Sequence, residues 1–348
     1  MQLSFIPSTD EREIKLRLER LLVPGSLLDA RLERRIQRLG AEFASYAAGY
    51  PLPLWAPGLA VNNEMRGVTE ALFPLARPRA VFELVLRRGC RFSPLLSASY
   101  LHSSASWIDL LQKLTPRISA DPVPALRLIA EDGDTRAAFL FALMLPQHFG
   151  GGFDRYPEQY RWLARWLGEQ AGQFSTGMRV LDAACGSGEG TYQAAQLLAQ
   201  AGLGAQSTVH GSTLEPIELF AAAHLHFPHD LEREREYRAQ VQPLLDGNCA
   251  PTLEFYLDRV DAAPQREPYH LVLCNGLLGG PLLHEPTQLA EAFAGLAARL
   301  APGGLLLAAD RFHAGWRLRV PREALIACLR TAGLTPTQVP EGIAGIKH

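Results

Sequence analysis

The sequence lacks most of what would staple, anchor or charge it toward a polyanion. Its five cysteines, Cys90, Cys185, Cys249, Cys274 and Cys328, are scattered and form no Cys-x-x-Cys pair. That argues against a zinc knuckle or a disulfide framework and makes a reducing cytoplasm the expected location. There is no basic tail and no Lys/Arg-rich block, and the formal net charge is -2. A nucleic-acid partner held by phosphate neutralisation is therefore not expected. The N-terminus meets Asp10, Glu11 and Glu13 early, without the continuous apolar stretch of a signal peptide. The longest apolar run, Ala137 to Pro146, is about half of what spans a bilayer, so it reads as a buried helix and no membrane partner is expected.

What is present is the balance of an ordinary globular protein. Apolar residues make up 47% and charged residues 20% of 348 residues, enough chain for more than one domain, each with a core.

Residues 1–150 read as a mostly helical domain. Ser8 and Glu11 have capping-box spacing before an apolar stretch, and Pro24-Gly25 makes a turn. Ser26 is then placed to cap a second helix, in which Leu28, Leu32, Ile36, Leu39 and Phe43 share a face. Shorter helices are predicted around Ala80 to Arg88 and Trp107 to Leu114, with a Pro-rich loop at Tyr50 to Pro57. No motif in this half carries chemistry.

Gly150-Gly151-Gly152 marks a linker, and residues 151–348 form the second domain. Tyr160, Leu163 and Leu167 make a helical stripe within Tyr156 to Gln170. From Met178 the period changes. Apolar strand-like runs at Arg179 to Ala184, Thr208 to Thr213, Thr252 to Leu257, His270 to Asn275 and Gly304 to Asp310 alternate with helical segments near Gly190 to Ala201, Pro216 to Leu225, Thr287 to Leu300 and Arg322 to Thr331. Apolar strands separated by helices predict a parallel sheet covered on both faces, the doubly wound Rossmann-like α/β architecture. Such sheets bind ligands at the carboxyl ends of their strands. Thr335 to His348 could add a final hairpin.

The most informative segment is Val180-Leu181-Asp182-Ala183-Ala184-Cys185-Gly186-Ser187-Gly188-Glu189-Gly190-Thr191-Tyr192, a strand running through a Gly-rich turn into a helix. Glycines allow positive φ and leave no Cβ between backbone and ligand, and a helix N-terminus presents free amides. A phosphate loop would need Gly-Lys-Ser/Thr, and no lysine is present. A dinucleotide fingerprint would need Gly-x-Gly-x-x-Gly, whereas the spacing is Gly186-x-Gly188-x-Gly190. An acid, Asp182, four residues before Gly186 resembles the signature of the class I methyltransferases, with Ala184 in the place of its first glycine.

That resemblance implies S-adenosylmethionine as the cofactor. Asp182 would organise the loop or meet the methionine ammonium, and the backbone of Ala184, Cys185, Gly186, Ser187 and Gly188 would approach the adenosyl group. Glu215, followed by Pro216, ends the second strand and is a candidate for the ribose hydroxyls; a helix N-terminal acid is the alternative. Asp258 ends the third strand as a candidate for the adenine amino group or as a solvated loop acid. Asn275, Gly276 and Leu277 follow the fourth strand and would flank the transferred methyl. Cys274 is better explained as a buried strand cysteine than as a nucleophile. Leu300-Ala301-Pro302-Gly303-Gly304 gives the helix end and turn before a fifth strand.

More narrowly, residues 146 to 312 resemble the chemotaxis receptor glutamate O-methyltransferases. Phe153-Asp154-Arg155-Tyr156-Pro157 is similar to that family's Phe-Phe-Arg-x-Pro, and Ala184 to Tyr192 echoes its Gly-Cys-Ser-Thr-Gly-Glu-Glu-Pro-Tyr loop. By that resemblance Arg155 and Tyr192 would face cofactor or substrate; a surface ion pair and helix packing are the alternatives. The departures, including a missing arginine near Asn275 and Asp154 for the second Phe, do not carry a receptor glutamate substrate over.

No metal site is expected. His224 and His226 would not share a helix face, and Pro228 interrupts the path to His229. Leu231 to Arg238 alternates Glu and Arg and reads as an exposed helix. His210, His270 and His313 are candidate general bases, though an already ionised acceptor needs none. The expected activity is in-line methyl transfer to a small molecule or a protein side chain. The alternatives are a non-catalytic S-adenosylmethionine-binding sensor or scaffold, and a nicotinamide-dependent oxidoreductase. A homo-oligomer is compatible with the sequence.

Overall fold

The computed structural model describes residues 3–49, 58–145, 152–174, 176–309, 312 and 314–348. The Pro-rich Tyr50 to Pro57 segment, Gly150-Gly151, Asp310 and His313 lie outside the described residues. The chain divides into two compact units. One comprises Asp10–Pro146 with Phe227–Arg233, the other Met1–Thr9, Gln147–His226 and Glu234–His348.

In the first unit, every described element is a helix: α1 (Glu11–Leu21), α2 (Ala30–Gly49), α3 (Asn63–Leu72), α4 (Ala76–Gly89), α5 (Tyr100–Ser103), α6 (Trp107–Leu114), α7 (Pro122–Glu131) and α8 (Gly133–Met144). The caps fall on acids and not on the expected serines. Asp10 accepts the Glu13 amide to start α1, and Asp29 accepts the Leu32 amide at 2.7 Å to start α2. A carboxylate at the N-cap also meets the positive end of the helix dipole. The predicted face of α2 is buried at Leu32, Ile36, Leu39 and Phe43, and Tyr46 extends it. The apolar run from Ala137 becomes α8, whose Arg136 is buried with its guanidinium on the carbonyls of Val23, Gly25 and Ile129.

The second unit holds one mixed sheet of eight strands: β1 (Ser4–Phe5), β2 (Arg179–Ala183), β3 (Thr208–Thr213), β4 (Thr252–Leu257), β5 (Tyr269–Leu273), β6 (Leu300–Ala309), β7 (Leu334–Thr337) and β8 (Gly342–Lys347). Their order is β1-β4-β3-β2-β5-β6-β8-β7. The five central strands are parallel, and β8 runs antiparallel to β6. The expected C-terminal hairpin is β7 and β8. The short β1, which no period-2 pattern announced, pairs antiparallel with β4 and covers that edge. The remaining α-helices are α9 (Pro157–Gln170), α10 (Glu189–Gln200), α11 (Pro216–His224), α12 (Leu231–Leu245), α13 (Pro286–Arg299), α14 (Ala314–Arg319) and α15 (Arg322–Thr331), and short 3-10 helices lie at Leu96–Ala98 and Gly204–Gln206. This is a Rossmann-like α/β fold.

The topology positions the site. From β2 the chain builds outward through β3 and β4, then returns to lay β5 on the other side of β2. The strand order reverses between β2 and β5, where Asp182 pairs with Leu273 in register. Loops leaving neighbouring strands in opposite directions open a crevice at their carboxyl ends. The Gly-rich turn and the Asn275 loop therefore flank one crevice. No described helix is long and apolar enough to cross a membrane.

Candidate functional site

The Gly-rich turn is pinned at both ends. Cys185 N–H donates to the Ser212 carbonyl at the end of β3, and Gly188 N–H donates back to Cys185. Between them the backbone turns through positive φ at Ala184 (58°), Gly186 (55°) and Gly188 (90°). The glycines serve different ends. A Cβ on Gly186 would meet nothing within 4 Å, so open space lies over that residue. A Cβ on Gly188 would come within 2.8 Å of the Ala222 methyl. One on Gly190 would press at 3.0 Å on both the Asp182 carboxylate and the Tyr160 hydroxyl. No side chain caps the N-terminus of α10 at Gly188.

Acids gather around this turn. Asp182 is buried, and its Oδ2 accepts from Thr191 Oγ1 at 2.7 Å. Burial pushes its carboxyl up to about 7, against the Thr191 hydrogen bond, and the nearby Glu189 adds to the rise. Among the described residues, no lysine or arginine is one of the groups acting on it. Glu189 is buried and receives the Ser187 hydroxyl at 2.8 Å. Glu215 caps α11, accepting the Ile217 amide at 3.3 Å, with Pro216 behind it in the first turn. Glu218, one turn further, accepts from Thr213 Oγ1 at 2.6 Å, and burial raises its carboxyl too. Sequence reading passed over Glu218 because α11 is otherwise apolar. Burial and these acids together push the Cys185 thiol far above its usual range, so it is no thiolate nucleophile. Among the described residues, no three His, Cys, Asp or Glu side chains converge to hold a metal ion.

On the other side of the crevice, Asn275 ties three elements together. Its Nδ2 donates to Gln159 Oε1 on α9 at 2.9 Å, and its Oδ1 accepts the Ala309 amide of β6 at 2.7 Å. Gln159 is 1% exposed, and its Nε2 has no hydrogen-bond partner. It escaped the sequence reading because it sits beside the apolar stripe of Tyr160, Leu163 and Leu167, all buried. Glu341, at positive φ, caps α9 by accepting the amides of Glu158 and Gln159 at 3.0 and 3.3 Å. Gly276 has φ 78°, and a Cβ there would meet the Arg155 guanidinium at 3.2 Å and the Tyr156 hydroxyl at 3.3 Å. Arg155 therefore lies against the loop after β5, with its guanidinium over the Tyr156 ring. Leu277 packs on the apolar core and Cys274 is fully buried.

Beyond Leu277 the same loop forms one wall of a cavity of about 450 Å³. Leu278, Val320 and Leu325 supply buried apolar lining, Phe312 is half-buried, and Arg317 and Arg322 stand at its exposed side. The volume lies within the range of small-molecule sites.

Other candidates take different places. Asp258 is not a solvated loop acid. Its carboxylate pairs with Arg299 at 2.8 Å, with both side chains almost wholly buried. Arg299 spends its remaining donors on the carbonyls of Arg259, Val260, Ala262 and Gly295. Tyr192 is fully buried, donates to the Ala222 carbonyl at 2.8 Å and packs on Phe255 and Tyr237, which is the helix-packing alternative. His210 lies inside the sheet against the Tyr269 hydroxyl, and burial lowers it to about 4. His270 sits at the amino end of β5, away from the crevice, accepting the Arg179 amide at 2.9 Å. His224 and His226 have separate partners, the Ser8 carbonyl and Glu234; His229 belongs to the helical unit and contacts the Leu145 carbonyl. The Leu231 to Arg238 segment opens α12, with an Arg238–Glu234 pair at 2.9 Å.

No protein-family model matches the sequence, and no curated protein matches it. Solved structures do. The sugar N-methyltransferase KedS8 from Streptoalloteichus sp. ATCC 53650 is 17% identical, covering 56% of this chain and 89% of its own, with a TM-score of 0.37. Magnesium protoporphyrin IX methyltransferase (ChlM) from Synechocystis PCC 6803, solved with bound SAM, is 16% identical over 58% of this chain and 88% of its own, TM-score 0.37. The N-methyltransferase NodS from Bradyrhizobium japonicum WM9 is 16% identical over 56% and 96%, TM-score 0.35. At such identities, the chemistry of the site is read from this chain's own side chains.

Proposed function

We propose that the protein is an S-adenosylmethionine-dependent methyltransferase acting on a small molecule. The observation that carries this reading is the charge of the crevice. Asp182, Glu189, Glu215 and Glu218 surround a turn with open space over Gly186, and burial with mutual repulsion raises two of the four. Such a site favours a cationic ligand and disfavours a pyrophosphate. S-adenosylmethionine carries a sulfonium and an ammonium, whereas a nicotinamide dinucleotide would bring two phosphate charges against these acids.

The residues present fit this cofactor. Asp182 would meet its positive end, the turn from Ala184 to Gly188 would lie under the adenosyl group, and Glu215 would accept the ribose hydroxyls. Asp258, its carboxylate taken by Arg299, would shape the adenine end through the loop it braces. Asn275 and Gly276 would border the methyl, with Arg155 against them. When bound, the cofactor supplies an electrophilic methyl on a sulfonium. The chain's part is to hold an acceptor in line with it and keep water out. Among the described residues no histidine stands at the crevice, since His210 lies inside the sheet and His270 at the amino end of β5, and an acceptor already nucleophilic at neutral pH suits that. The cavity beside Leu278 favours an enzyme over a sensor or scaffold, because a binding module needs no second concave site.

Calorimetric titration with S-adenosylmethionine, S-adenosylhomocysteine and NADH tests the reading. Saturable binding of the first two, abolished in Glu215→Ala and weakened in Glu215→Gln, which keeps the helix cap, is expected. Binding of NADH instead would overturn it.

A further inference from the structure

The cavity that begins at Leu278 and Gly279 has two kinds of wall. Leu278, Val320 and Leu325 are buried and apolar, and Phe312 adds a half-buried ring. The charged residues are arranged unevenly. Glu341 already accepts the amides of Glu158 and Gln159, so its charge is committed to the start of α9. Arg319, which is not in the lining, is held by Glu285 at 2.9 Å and lies over the Trp316 ring. Arg317 lies in the last turn of α14 and Arg322 begins α15; both are exposed, and neither has a hydrogen-bond or ion-pair partner among the described residues. Among the described residues, Glu323 is the one lining carboxylate without another commitment. Two available guanidiniums thus stand beside an apolar pocket, with one opposing charge among the described residues. Guanidinium groups bind carboxylates and other oxyanions through paired donors.

We propose that this cavity binds the methyl acceptor, and that the acceptor is a small amphipathic anion. Its ring-sized apolar body sits against Leu278, Val320, Leu325 and Phe312, and its carboxylate or sulfonate meets Arg317 and Arg322. The assignment rests on the methyltransferase reading above. It adds what that reading lacks, the chemical class of the acceptor. Leu278 and Gly279 continue directly from Asn275, Gly276 and Leu277, so one loop borders both the crevice and the cavity. The volume of about 450 Å³ holds a ring system but not a folded partner.

The test uses two fluorescent dyes with the same kind of aromatic body. 1-Anilinonaphthalene-8-sulfonate carries an anion; N-phenyl-1-naphthylamine does not. The wild type is expected to bind the sulfonate saturably, and the Arg317→Gln/Arg322→Gln double variant to bind it about ten-fold more weakly. Affinity for the neutral dye should stay within about two-fold. Both arginines are exposed, so the variant is expected to fold, and its urea midpoint checks that. Unchanged sulfonate affinity in the folded double variant, or equal losses for both dyes, would overturn the proposal. S-adenosylhomocysteine titrated into the same samples separates the two readings. A wild type that binds it while failing the dye test loses the anion site alone. A wild type that passes the dye test without binding it loses the methyltransferase reading and, with that, the acceptor role.

Discussion

Thr191 donates its hydroxyl to Asp182 at 2.7 Å, joining the first turn of α10 to the strand that precedes the Gly-rich turn. Both residues are buried, and this hydrogen bond opposes the burial that raises Asp182 to about 7. A dry carboxylate with one neutral donor is an incomplete site, and a cation would complete it.

The pH dependence follows with a definite sign. Between about pH 4 and pH 7 the folded chain holds a proton on Asp182 that the unfolded chain has released. Stability of the ligand-free protein therefore falls as pH rises through that window, by at most about 1.4 kcal/mol per pH unit. Asp182→Asn should flatten the slope in urea titrations run across the window. Affinity for S-adenosylhomocysteine should move the other way, weakening by roughly ten-fold per unit well below pH 7. A pH-independent affinity would remove Asp182 from the ligand's neighbourhood.

Ala184 holds a left-handed backbone with a side chain that disfavours it, at φ 58°. Ala184→Gly should therefore stabilise the protein by about 1 kcal/mol. Gly186→Ala should cost a similar amount and, by putting a methyl into the open space, weaken S-adenosylhomocysteine binding. Melting curves and calorimetry on the two variants separate strain from obstruction.

Removing the Asp258 carboxylate leaves Arg299 buried with only carbonyls for company. Asp258→Ala should destabilise by about 3 kcal/mol, measured by urea unfolding. Cofactor affinity of the folded fraction should fall far less than in Glu215→Ala. A stable Asp258→Ala with abolished affinity would return Asp258 to direct adenine contact.

Gln159→Leu deletes the acceptor for Asn275 Nδ2 and should cost about 1–3 kcal/mol of stability. Gln159→Glu keeps that acceptor while removing the donor. If Gln159 only braces Asn275, the Glu variant should retain S-adenosylhomocysteine affinity. A loss with both variants would put its Nε2 at the ligand.

The elements whose formation is local were legible in the sequence. β3 and β4 occupy the predicted Thr208–Thr213 and Thr252–Leu257, and α15 the predicted Arg322–Thr331, because apolar period and flanking breakers set their ends. The turn from Asp182 to Gly190 was legible for the same reason, since left-handed backbone and close approach demand glycine in place. Caps were less so: Ser8 and Asp10 both suit an N-cap, and only the helix's packed position selects one.

Partnerships across the chain were decided by tertiary structure alone. Nothing near Asp258 announces Arg299, and nothing near α9 announces Glu341 as its cap. The motif left Tyr192 open between the site and helix packing, and the tertiary structure buries it. The acidic character of the crevice is likewise a product of burial, for carboxylates in water neither repel strongly nor shift. Composition and period fix what each segment does alone; desolvation, which depends on every neighbour at once, fixes what its charged groups do.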